Sequence, residues 1–155
     1  MLFRSVEATK GANDTYTADL SGLKDGAITV SVVATDTATN TATGTGTSLT
    51  LDTTADVGTN LAVSVSDALI SNAEKGAVSY TIAGLDADAT AKVTFTDSDG
   101  AKVEATKGAN DTYTADLSGL KDGAITVSVV ATDTATNTRS EEHTSELQSL
   151  AYLVC

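Results

Sequence analysis

Short stretches of alternating apolar and polar residues, set off by clusters of Gly, Asp, Asn, Ser and Thr, run along the chain. Period-two alternation puts one face of a strand against a core and the other toward water. Leu61, Val63 and Val65 share a face of a first strand, and Val78, Tyr80 and Ile82 a face of a second. Val93 and Phe95 mark a third, and Val103 and Ala105 a fourth. The DSDG at 97–100 reads as the hairpin loop between these two, with Gly100 free to take a positive φ. Tyr113, Ala115 and Leu117 mark a fifth strand. Ile125, Val127, Val129 and Ala131 mark a long sixth one, entered through an Asp122–Gly123 turn. A seventh is legible only earlier in the chain, as Thr47–Leu51 with Leu49 and Leu51 facing inward.

It can be read there because the chain repeats itself. Residues 6–41, VEATKGANDTYTADLSGLKDGAITVSVVATDTATNT, recur letter for letter at 103–138, an offset of 97 residues. Seven short strands in a unit of about 100 residues predict an all-β fold of Ig-like antiparallel β-sandwiches in tandem. The boundary falls at DTTAD, residues 52–56. Residues 6–51 are then the C-terminal half of one repeat, and residues 52–138 a second repeat lacking its last strand. Two incomplete sandwiches predict open strand edges, low stability and exchange of equivalent strands between identical neighbours.

The flanks differ from the repeat. Both arginines (Arg4, Arg139), His143, Gln148 and Cys155 lie within residues 1–5 or 139–155. RSEEH can be encoded as AGA TCG GAA GAG CAC. Its reverse complement, GTG CTC TTC CGA TCT, reads as a start codon followed by LFRS, the flank at residues 1–5. RSEEHTSELQS resembles the translation of a common short-read sequencing adapter, which makes residues 1–5 and 139–155 non-native by expectation. Within that tail, Ser145 and Gln148 have capping-box spacing. Leu147, Leu150, Ala151 and Val154 recur at helical intervals, so the tail is expected to form an incidental short helix.

L-x-D-G-x-I-T-V followed by A-T-D-x-x-x-N, a strand and DTTA resembles the bacterial Ig-like repeats of large repetitive surface adhesins. Leu120, Asp122, Gly123, Val127, Asp133 and Asn137 carry the pattern, as do Leu23, Asp25, Gly26, Val30, Asp36 and Asn40. The family often has Gly before the Asn and Pro after DTTA, where this chain has Thr39 or Thr136, and Asp56. The resemblance implies a spacer or stalk module at the bacterial cell surface or outside the cell. Its partners would be neighbouring identical repeats in the same chain. It also raises the expectation of calcium where repeats join.

Strand order independently gathers acidic residues there. Alternate loops of an antiparallel stack fall at opposite poles. The loops after strands two (Asp86, Asp88), four (Asn110, Asp111) and six (Asp133, Asn137) share one pole, and the linker with Asp52 and Asp56 arrives at it. Ca2+ takes six to eight oxygen ligands, so Asp52, Asp56, Asp86, Asp88, Asp133 and Asn137 are the candidate metal ligands. The plainer reading is that these residues serve turns and solubility.

Composition narrows the remaining options. A net charge of −12 argues against nucleic acid as a partner. No apolar run reaches the roughly 20 residues of a membrane helix. Residues 6–138 contain no His, Cys or Arg, so a serine nucleophile would lack the usual base and no enzyme is predicted. The competing functional reading is a module that itself binds glycan or another cell-surface repeat, its weak sites multiplied by the array. Such binding would use exposed aromatics, yet Tyr16, Tyr80, Phe95 and Tyr113 fall on core-facing positions.

Overall fold

The computed structural model describes residues 4–107 and 113–148, with the backbone alone at 106–107 and 143–148. The chain divides into two compact units, Met1–Thr53 and Thr54–Cys155.

The first unit contains β1 (Thr9–Lys10), β2 (Tyr16–Thr17), β3 (Gly26–Ile28), β4 (Ser31–Thr35), β5 (Thr41–Thr45) and β6 (Leu49–Leu51). They pair as three separate two-stranded ladders, β1–β2, β3–β6 and β4–β5. None of its described residues is buried. An isolated ribbon has no second layer to cover its apolar face, and it is marginal for that reason.

The second unit is all-β and antiparallel, built from β7 (Ala62–Val65), β8 (Val78–Ala83), β9 (Ala89–Thr96), β10 (Lys102–Lys107), β11 (Tyr113–Ala115), β12 (Ala124–Asp133) and β13 (Thr138–Gln148). The strand order is β13-β12-β9-β10-β11-β8-β7. β10 is the switch: Lys102–Ala105 pair with β9, and Thr106 and Lys107 pair with β11. The ladder therefore folds over into two sheets with the core between them. Val93, Phe95, Val127 and Val129 come from one sheet and Val63, Val78, Tyr80 and Ala115 from the other. Tyr80 meets Phe95 edge to face across the layers, with ring centroids 5.7 Å apart. Sequence-distant neighbours β8–β11 and β9–β12 give the Greek-key order of a sandwich.

The tail departs from expectation. Ser145–Gln148, where a short helix should begin, belongs to strand β13, and residues 149–155 lie outside the described residues. The second unit thus has a last strand where none was expected. β12 is buried at alternate positions and paired on one side to β9, which leaves a row of N–H and C=O groups along its other edge. Satisfying that edge from Thr132↔Thr138 to Ala124↔Gln148 outweighs the weak nucleation of an isolated helical turn.

Candidate functional site: the acidic pole

The β12–β13 turn at this pole is closed by its own hydrogen bonds. Asp133 is buried, and its Oδ1 accepts the Asn137 backbone N–H at 2.8 Å while Oδ2 accepts Asn137 Nδ2 at 2.7 Å. Asp133 N donates to Asn137 O at 3.2 Å, and Thr136 holds a φ of 71° to close the turn. A short polar side chain that bonds its own backbone is the usual way to stabilise so tight a bend.

The incoming linker brings Asp56 to the same unit. Its side chain is fully enclosed, Oδ1 accepts Gly58 N at 3.1 Å, and Oδ2 faces Arg139 Nη1 at 3.4 Å. Arg139 Nη1 also donates to the Asp56 carbonyl at 3.3 Å. Asp86 Oδ2 accepts Val57 N at 3.0 Å, pinning the linker to the β8–β9 loop. Gly84 in that loop has a φ of 76° and lies against the Asn60 backbone, so a side chain there would collide. Arg139 completes the arrangement. It donates to Glu141 Oε1 from Nε at 3.1 Å and from Nη2 at 2.7 Å. Hydrogen bonding to Glu141, aided by the charges of Asp56, Glu141 and Asp86, pushes its pKa up despite partial burial.

Of the six expected ligands, the structure therefore brings Asp56 and Asp86 within the field of one guanidinium and sets Asp133 against Asn137. Asp88 is exposed, and Asp52 belongs to the first unit. Asn110 and Asp111 lie outside the described residues. Among the described residues, no group of three or more acidic, His or Cys side chains is placed to hold a metal. Sequence reasoning missed Arg139 because the tail was set aside as non-native, and only the strand pairing of that tail reveals its position.

The opposite pole holds a second missed element. Asp97 is buried and accepts Lys121 N at 2.8 Å, Ala101 N at 2.9 Å and Asp99 N at 3.0 Å. The Lys121 bond, helped by those of Ala101, Asp99 and Gly100, holds its carboxyl below the ordinary 3.8 against the cost of burial. It ties the β9–β10 hairpin to the loop before β12. The DSDG turn was legible, whereas a partner 24 residues away was not.

No family model matches the chain, and no curated protein matches it. Several solved structures are similar, two of them as follows. One is a tetra-tandem repeat in the extending region of a large adhesion protein, 34% identical over 88% of this chain and 36% of that one, with a TM-score of 0.42. The other is a Ca2+-stabilised adhesin with which an Antarctic bacterium reaches out and binds ice, 30% identical over 81% of this chain and 32% of that one, with a TM-score of 0.48. The chain spans about a third of the length of each. With both TM-scores below 0.5, the fold assignment rests on the strand order and register described above.

Proposed function

We propose that this chain is a structural spacer from a large bacterial cell-surface or secreted adhesin, a repeat that projects other parts of the protein and does no chemistry. The observation that carries this reading is the fate of the aromatic side chains when a repeat is complete. In the second unit Tyr80 and Phe95 are buried, and Tyr113 packs on Tyr80 with ring centroids 5.3 Å apart. A module that held glycans by stacking would instead leave a ring outside. The 36-residue identity at an offset of 97 residues supports an array, in which each unit contributes length. An extracellular or cell-surface location belongs to the same reading. Among the described residues, no helix is long and apolar enough to cross a membrane.

The finer part of the proposal is a calcium ion at repeat junctions. In the first copy Thr41, the counterpart of Thr138, is followed by Ala42 and not by arginine. A second copy continued in the same way would have alanine where Arg139 stands, leaving the enclosed Asp56 carboxylate beside Asp86 without its cation. An uncompensated buried charge is strongly unfavourable, and a divalent ion on Asp56, Asp86, Asp133 and the linker is the chemistry that would relieve it. The test is thermal unfolding of a repeat pair completed with TATGTGTSLTLD after Asn137, with and without calcium. A midpoint that climbs with calcium and no longer does so in Asp133→Ala supports the junction ion. A folded pair indifferent to calcium removes the ion and leaves a flexible spacer.

A further inference from the structure

The first unit displays, uncovered, the same residues that the second unit buries. Val32 is 59% exposed, while its counterpart Val129 is fully buried against Val93 of β9. Val30 is 44% exposed, while Val127 is 1% exposed opposite Phe95. β4 is paired only to β5, so the edge that β9 occupies in the second unit carries no strand in the first. An apolar face does not usually reveal what covers it. Here the identity of residues 6–41 and 103–138 does, because the covering layer of that sequence is seen in the same molecule: β7, β8 and β9, within residues 57–97.

We propose that residues 6–51 form an acceptor for the 57–97 half of a second copy of this chain, so that two copies join by reciprocal exchange of half-sandwiches. Within one chain, residues 57–97 are already taken by residues 103–148, which follow across the short β9–β10 hairpin. Between copies the substitution is nearly even, since 36 residues of the incoming half are identical to those they displace. The last strand breaks the tie. Residues 41–51 end in Leu49 and Leu51, whereas β13 carries Arg139, Glu141 and Glu142 in a chain whose net charge is already −12. Exchange closes as a two-fold dimer, grows with protein concentration, and is slow because residues 57–97 must leave one core to enter another. The displaced residues 103–148 take up the uncovered state that residues 6–51 hold in the single chain.

The test uses the full chain, unfolded and refolded at low and at high concentration, with mass measured by light scattering. The expected result is a shift from 15.6 kDa toward twice that mass at high concentration. Val32→Asp should abolish the shift and leave unfolding of the second unit unchanged. Val129→Asp should have the opposite sign and promote the dimer, because it frees residues 57–97 for the intact half of a partner. In the ladder Ser128 faces Thr94, so Ser31 of one copy should face Thr94 of the other. With Cys155→Ser throughout, mixed Ser31→Cys and Thr94→Cys chains should form an intermolecular disulfide in the dimer fraction. Ser128→Cys with Thr94→Cys in one chain is the control for geometry. A chain that stays at single mass at every concentration overturns the proposal. So does association that survives Val32→Asp, or failure of the 31–94 link while the 128–94 control closes.

Discussion

Residues 6–41 and 103–138 are the same sequence in two settings, and the differences between them separate what the chain specifies locally from what packing must supply. The turns described in both copies match. Asp36 and Asn40 bond as Asp133 and Asn137 do, with Asn40 N and Nδ2 each 2.9 Å from the Asp36 carboxylate oxygens. Asp19 caps Ser21 N at 2.9 Å as Asp116 caps Ser118 N at 2.9 Å. Even the small ladder Thr9↔Thr17 and Lys10↔Tyr16 has the register of Thr106↔Thr114 and Lys107↔Tyr113. The long strand is not the same. β12 runs unbroken over Ala124–Asp133, whereas its counterpart is interrupted between Ile28 and Ser31. Turn chemistry acts over four residues, while a ten-residue strand buried at alternate positions needs a facing sheet and a paired edge.

Substitutions that act on one copy only would sharpen this contrast. The largest effect should come from Phe95→Ala, which removes a fully buried ring from the layer the first unit lacks. Denaturant unfolding should lose about 3–5 kcal/mol from the second unit, with backbone NMR shifts of residues 6–51 unmoved. Next come the matched pair Val129→Ala and Val32→Ala. The same exchange in the same sequence should cost about 2 kcal/mol at Val129 and stay within about 0.5 kcal/mol at Val32. Equal costs would mean that residues 6–51 are packed in solution.

A smaller effect follows from Asp97. Its folded pKa lies below its ordinary value, so the stability it adds is complete above about pH 4 and is lost as pH falls through the folded pKa. Asp97→Asn should remove that part of the acid slope in a pH series of unfolding midpoints, with no change near neutrality in the turn of the first unit. The smallest effect belongs to the shared turn. Asn137→Ala and Asn40→Ala should each loosen their own loop, by about 1 kcal/mol at Asn137, read as lost amide protection at Asp133 and Asp36.

Most of the fold was legible from the chain, because strand faces obey a period of two and the apolar positions Leu61, Val63, Val78, Tyr80, Val93, Phe95, Val127 and Val129 obey it cleanly. The tail was not legible. Its helical spacing at Ser145 and Leu147 was real, but an open edge on β12 decided its conformation, and an edge leaves no mark on the segment that fills it. The acidic pole was legible as a gathering of loops and not as a set of contacts. Loop alternation puts Asp56 and Asp86 at one end, yet it could not show that Asp88 is exposed or that a guanidinium stands beside the other two.

One detail of the shared turn bears on how such proteins change over time. Thr39 and Thr136 both sit at a φ of 71°, a left-handed conformation that a β-branched residue adopts at a cost on the order of 1 kcal/mol and that glycine would adopt freely. The conformation is the same with and without a core behind it, so it goes with the hydrogen bonds inside the turn, those of the Asp–Asn bracket and of the threonine N–H to the Asp carbonyl. Duplication copies such a flaw as readily as it copies a good core, and a gene lengthened by copying inherits the same small debt in every unit. A single glycine, spread through the array by recombination between its own repeats, would correct all of them at once.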